Sequence, residues 1–191
     1  GAAALALLAA LPLGPTARAA EVTERVLGDP EAPVTIIEYS SLTCPHCAAF
    51  HTDTLPALKE RYIDTGQAKL VLRDFPLDQN ALIASVIAHC AGPDRYFPFI
   101  EALFATQERW ARAADTRVSL IQLAGLFDLP REQAEACLAD DAMHDAVLQS
   151  RLDGQEQHQV SETPTFVVNG EVVTGNRPFD QLGAMIEAAQ P

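Results

Sequence analysis

Positive charge is scarce in this chain. Of its 191 residues only 13 are Lys or Arg, and just two of those, Lys59 and Lys69, are lysines. Asp and Glu number 26, which leaves a formal net charge of −13. A surface so poor in cations has little with which to displace the counterions of a polyanion, so nucleic acid is excluded as a partner. Cysteine is sparse too: four residues, Cys44, Cys47, Cys90 and Cys137, are too few for a small disulfide scaffold at this length. Beyond residue 13 no apolar run approaches the 18 or so residues of a membrane span. Internal repeats and low-complexity stretches are also missing after that point. Apolar residues are not lacking: at 48% they are ample for a buried core, which excludes a disordered chain. The length suits one domain, or one domain with a sizeable insertion.

The first 13 residues, GAAALALLAALPL, form an uncharged apolar run followed by Gly14-Pro15 and then Ala17-Arg18-Ala19. A short apolar stretch ending at an A-x-A site reads as a secretory signal peptide, residues 1–19, cleaved after Ala19. With neither Met nor a basic segment ahead of it, the leader is expected to be truncated at its start. Export implies a periplasmic, oxidising compartment where disulfides persist.

Val34–Tyr39 (VTIIEY) is a β-branched run bounded by Gly28-Asp29-Pro30 and Ala32-Pro33, and predicts a buried strand. A helical stretch follows to about Thr65, with Pro56 kinking it or opening a second piece. Lys69–Phe75 is a second strand, completing a βαβ unit. From 78 to 158 strand signals vanish and apolar residues recur at helical spacing, in five helices. Asp128 is the expected cap of the fourth, with Pro130 in its first turn. Thr165–Asn169 and Glu171–Thr174 flank Asn169-Gly170, a strong hairpin signal, and a helix over Phe179–Ala189 ends the chain.

Cys44-Pro45-His46-Cys47 falls where the first strand feeds the helix. Unpaired backbone N–H groups and the macrodipole at a helix N-terminus favour a thiolate on Cys44. Pro45 fits the first turn because it has no N–H to waste. His46 supplies a donor or a positive charge beside the sulfur. A thiol pKa lowered from about 8.5 to about 4 stabilises the reduced form at neutral pH by roughly 4 kcal/mol, or about 90 mV toward an oxidant. Zinc is the competing reading of C-x-x-C, but His51 offers a third ligand at best and no fourth lies nearby, so no metal is assigned. A C-x-x-C after the first strand of a βαβ unit is the redox signal. Glu38 interrupts the first strand six residues before Cys44. Strand alternation puts it on the face of Ile36, buried near the sulfurs and placed to take a proton from the second thiol. A structural carboxylate is the alternative. Thr163-Pro164 stands just before a strand, where the peptide bond is cis or trans.

These residues resemble those of the DsbA family of secreted thiol:disulfide interchange proteins. The match rests on Glu38–Cys47 (EYSSLTCPHC) and on Thr163-Pro164-Thr165-Phe166, and it extends from about Gly28 to the end of the chain. Thioredoxins typically carry Gly-Pro between the cysteines. The resemblance implies an α/β thioredoxin fold with an inserted all-helical domain: residues 20–77 and 159–191 form the thioredoxin part, and 78–158 the insertion. It implies that Cys44 is the exposed, attacking thiol and Cys47 its buried partner, and that Glu38 is the family's buried acid. Thr163 and Pro164 become a substrate-binding cis-proline loop, with Thr163 where the best-known members have Val. Partners would be unfolded, Cys-containing exported proteins and a membrane quinone-linked thiol oxidase; no cofactor is implied.

Cys90 and Cys137 sit on apolar helical faces, as a structural disulfide or as two buried free thiols. His51, His89, His144 and His158 read as surface or core residues rather than ligands. Trp110 is expected to pack between the domains or against its own helix. The expected function is a monomeric oxidase that donates disulfides. A reductase or isomerase with the same centre, or a copper-handling protein using the two thiolates, is the alternative. The stretch from Ala20 to about Val26 is too short for the added oligomerisation segment of the superfamily's isomerases.

Overall fold

The computed structural model describes residues 24–191; the signal peptide expected over residues 1–19 lies outside them. Two β-branched strands, β2 (Val34–Ser40) and β3 (Ala68–Asp74), pair in parallel at the centre of a five-stranded sheet. The sheet order is β1-β3-β2-β4-β5. Three antiparallel strands complete it: β1 (Arg25–Leu27) on β3, β4 (Thr165–Val168) on β2, and β5 (Glu171–Thr174) on β4. Asn169 (φ 48°) and Gly170 (φ 89°) adopt the left-handed conformations that a tight β4–β5 turn requires.

Between β2 and β3 runs a segment of alternating character. The helices α1 (Pro45–Ala49) and α2 (Leu55–Leu58) are separated by a π-helical turn, Phe50–Thr54, and followed by another, Lys59–Ile63. Pro56 lies in the first turn of α2, where its missing N–H costs nothing.

The helical block follows β3 as α3 (Gln79–Cys90), α4 (Pro93–Ala105), α5 (Gln107–Ala111), α6 (Thr116–Gly125), α7 (Arg131–Leu138) and α8 (Asp141–His158). It carries one more helix than the sequence suggested, because the stretch read as a single helix around 97–110 breaks at Thr106. Asp78, Asp115 and Asp140 cap α3, α6 and α8, each accepting a backbone N–H within the first turn. Asp128 does not cap α7. It adopts a left-handed φ of 56°, and Leu129 N–H returns to Ala124 O at 3.2 Å, so this stretch closes α6 and Pro130 is left as the N-cap of α7. After β5, α9 (Phe179–Ala188) packs back on the sheet.

Alternation in β2 sorts the core. Ile36 joins Phe50, Leu58, Leu70 and Phe166 under α2 and α9. On the other face Tyr39 packs with Phe75, Val160 and Val167. The largest cluster lies within the helical block and reaches Leu42, Cys44, Cys47 and Leu72, so the cysteine motif sits at the seam between block and sheet. Trp110 belongs to this cluster and donates Nε1–H to Leu103 O at 2.7 Å. Among the described residues no helix is long and apolar enough to cross a membrane.

Candidate active site

Cys44 is the N-cap of α1, with extended backbone (φ −78°, ψ 120°), and Pro45 opens the helix. Its sulfur therefore faces the free N–H groups of the first turn. Several effects bring the Cys44 thiol from its ordinary 9.0 down to about 5. A hydrogen bond from the Cys47 thiol is the largest; burial opposes it; Thr163 and the backbone N–H groups of Cys47 and His46 add to it. His46 thus acts on the sulfur through its backbone, and its side chain is exposed.

Cys47 behaves oppositely. It is fully buried. Burial, then its hydrogen bond to Cys44, then the charge of Glu38, push its thiol far above the usual range, with Ser40 opposing. The two sulfurs are chemically unlike, one a thiolate and one a thiol at neutral pH.

Cys44 is 6% exposed, not the exposed thiol that the resemblance implied. When protonated its Sγ donates to Thr163 O at 3.3 Å, and the helical block packs against it. What faces solvent at the motif is Pro45 and His46. The Thr163–Pro164 peptide bond is cis, and both residues are buried at the start of β4, across from the motif. Thr163 Oγ1 is buried without a partner.

Glu38 is 0% exposed on β2, between Leu72 of β3 and Phe166 of β4. Its carboxylate oxygens lie 3.2 and 3.0 Å from His51 Nε2. The structure thus brings Glu38, Cys44, Cys47, Thr163 and Pro164 to one end of the sheet. Cys90 and Cys137 lie elsewhere, joined by a 2.07 Å S–S bond between α3 and α7.

Sequence reasoning missed two residues here. His51 reads from the sequence as a surface or core residue, although it follows Cys47 by four residues. Gln107 of α5 donates Nε2–H to Leu42 O at 2.8 Å and Cys44 O at 3.0 Å, bracing the loop that carries the motif; no sequence signal marks that long-range bond. Among the described residues no group of three or more His, Cys, Asp or Glu side chains is placed to hold a metal ion.

The thioredoxin family profile matches residues 20–188. A protein-disulfide oxidoreductase of Rickettsia felis is 32% identical over 167 residues, which cover 87% of this chain and 60% of that protein. The chain thus spans about 60% of this relative's length. Wolbachia pipientis alpha-DsbA1 superposes with a TM-score of 0.81 at 30% identity, covering 87% of this chain and 90% of that one. Oxidised BdbD of Bacillus subtilis gives 0.79 at 25% identity, covering 87% and 92%.

Proposed function

The chain belongs to the DsbA family of thioredoxin-fold protein-disulfide oxidoreductases, and on that premise we propose that it passes a Cys44–Cys47 disulfide to pairs of thiols in exported proteins. The observation that carries this reading is the split between the two sulfurs, Cys44 lowered to about 5 and Cys47 raised.

A substrate thiolate attacks Cys44 Sγ, forming a mixed disulfide. The Cys44–Cys47 bond breaks and Cys47 leaves, taking up a proton. A second substrate thiolate then attacks the substrate sulfur of the mixed disulfide. The substrate disulfide forms and Cys44 departs as a thiolate. A low leaving-group pKa makes this last step fast. In the first step the leaving thiol is the high-pKa one, so it needs a proton donor at hand; buried Glu38 fits that role. Thr163, whose carbonyl lies 3.3 Å from Cys44 Sγ, and Pro164 are assigned to hold the extended substrate chain. Pro45 and His46 form the exposed rim it meets.

We assign the protein to the periplasm, exported by the residue 1–19 leader, as a monomer recharged by a membrane quinone-linked thiol oxidase. The test is the reduction potential of the Cys44–Cys47 pair, equilibrated with glutathione, together with oxidation of a two-cysteine peptide. A value at or above the glutathione range with rapid peptide oxidation supports the oxidase. A value as low as thioredoxin's, about −270 mV, refutes it in favour of a reductase.

A further inference from the structure

The exchange chemistry leaves the buried imidazole of His51 without a role. Its Nε2 sits between both oxygens of Glu38, at 3.2 and 3.0 Å, and the two side chains are 2% and 0% exposed. Phe104 of α4 stacks on the ring at 4.2 Å and 27°, and Phe50 meets it edge-on at 5.4 Å. On the far side Nδ1 is buried with no hydrogen-bond partner. That asymmetry selects the tautomer. An imidazolium would hold a second, buried N–H at Nδ1 with nothing to accept it, at a cost of about 1–3 kcal/mol or more. The neutral ring with its proton on Nε2 spends its single N–H on the carboxylate and leaves only a lone pair at Nδ1.

We propose that His51, as the Nε2–H tautomer, is a positioning residue that holds the Glu38 carboxyl group oriented to exchange a proton with Cys47. This deepens the exchange reading above and rests on it. When the reduced protein is reoxidised, Cys44 first forms a mixed disulfide with the oxidant's sulfur. Cys47 S–H then gives its proton to Glu38, and its sulfur electron pair forms the Cys44–Cys47 bond. The bond from Cys44 to the oxidant's sulfur breaks, and that sulfur leaves as a thiolate. Cys47 and Cys44 end oxidised and the departing sulfur reduced. In the opposite direction Glu38 returns the proton to Cys47 as it leaves. Around the pair, α1 contributes Cys44 and Cys47, and α4 contributes the Tyr96 phenol, on which both Glu38 and Asp74 act. Asp74, at the end of β3, is itself paired with His89 at 2.6 Å.

Reduced protein mixed with excess glutathione disulfide, acid-quenched and resolved by mass, reads both steps. His51→Phe keeps a ring in the stack on Phe104 but has no N–H. It is expected to leave mixed-disulfide formation within about twofold and to slow its conversion to Cys44–Cys47 about tenfold at neutral pH, a fraction of the roughly 10²–10⁴ that a positioned acid–base group contributes. His51→Gln, with an amide N–H, should recover most of the rate. In a Glu38→Gln background His51→Phe should slow conversion no further. Unchanged conversion in His51→Phe, an equal loss in both backgrounds, or a Gln variant as slow as Phe overturns the proposal. If His51→Phe does not fold by circular dichroism, the double variant with Glu38→Gln lacks the unpaired carboxylate, and its conversion rate must match Glu38→Gln alone. Wild-type protein that forms no mixed disulfide overturns the exchange reading and this inference together, whereas wild-type exchange with insensitive His51 variants overturns this inference only.

Discussion

A thiol brought down to about 5 beside one pushed far up leaves a pH signature that no purely structural cysteine pair shows. Reduction of the Cys44–Cys47 bond takes up two protons below that pKa and one above it. Each proton contributes about 30 mV per pH unit to a two-electron couple. The potential is therefore expected to fall by about 59 mV per unit at more acid pH and by about 30 mV above a break near pH 5. The stability sign agrees: a depressed pKa favours the folded, reduced form in full above about 9, less and less as pH falls from 9 towards 5, and not at all below 5. A potential with a single slope across that break, or alkylation of Cys44 by iodoacetamide with a midpoint near 9, would contradict this electrostatic picture. At this scale the motif and Glu38 were legible because their chemistry is carried by spacing along one strand and one helix. His51 and Gln107 were not, because their meaning lies in partners 13 and more than 60 residues away.

Elements obey the same division between local and tertiary causes. The βαβ unit, the helical block and the Asn169-Gly170 hairpin follow from periodicity and turn chemistry. β1 did not show itself, since three half-buried residues carry no alternation to read and owe their strand form to pairing with Leu70, Val71 and Leu72. Asp128 illustrates the reverse error, a good capping residue used to end one helix rather than begin the next. Gly154, inside α8, is a further tertiary effect. A Cβ there would come within 2.7 Å of Tyr39 Cε1. Arg73 Nη1 donates to the Tyr39 hydroxyl at 3.1 Å, and that hydroxyl also lies 3.0 Å from His158 Nδ1, so the ring is held. Ala ordinarily gains about 1 kcal/mol over Gly in a helix, but overpacking costs about 1–3 kcal/mol. Gly154→Ala is therefore expected to lower the urea midpoint; a raised midpoint would show that the ring can yield. In α5, Gln107→Leu would strand two buried carbonyls, each costing about 1–3 kcal/mol. It should destabilise the protein and make the Cys44 loop more open to hydrogen exchange. Equal protection at residues 42–44 in variant and wild type would remove Gln107 as the brace.

Across the described residues, the helical block packs against the sheet around the cysteine motif. The sheet carries Glu38 and Thr163, the helical block supplies Phe104 and Gln107, and Cys47 is buried between them. The second cysteine pair lies within the helical block. Cys90 ends α3 and Cys137 lies in α7, so the bond spans 47 residues within the block. In the chain-entropy picture, closing a loop of that size stabilises the fold by about 4 kcal/mol. For a protein with the usual total of about 5–15 kcal/mol, that is a large share. The groups that set the Cys44 thiol, by contrast, are Cys47, Thr163 and the backbone of α1, and none depends on the α3–α7 link. Replacing Cys90 and Cys137 together by Ala should therefore lower the denaturation midpoint steeply while the alkylation midpoint of Cys44 stays near pH 5. If stability is unchanged, the bond is no staple. If the Cys44 midpoint moves with it, block and site are coupled across the seam, and the packing of α4 and α5 against the motif must transmit the change.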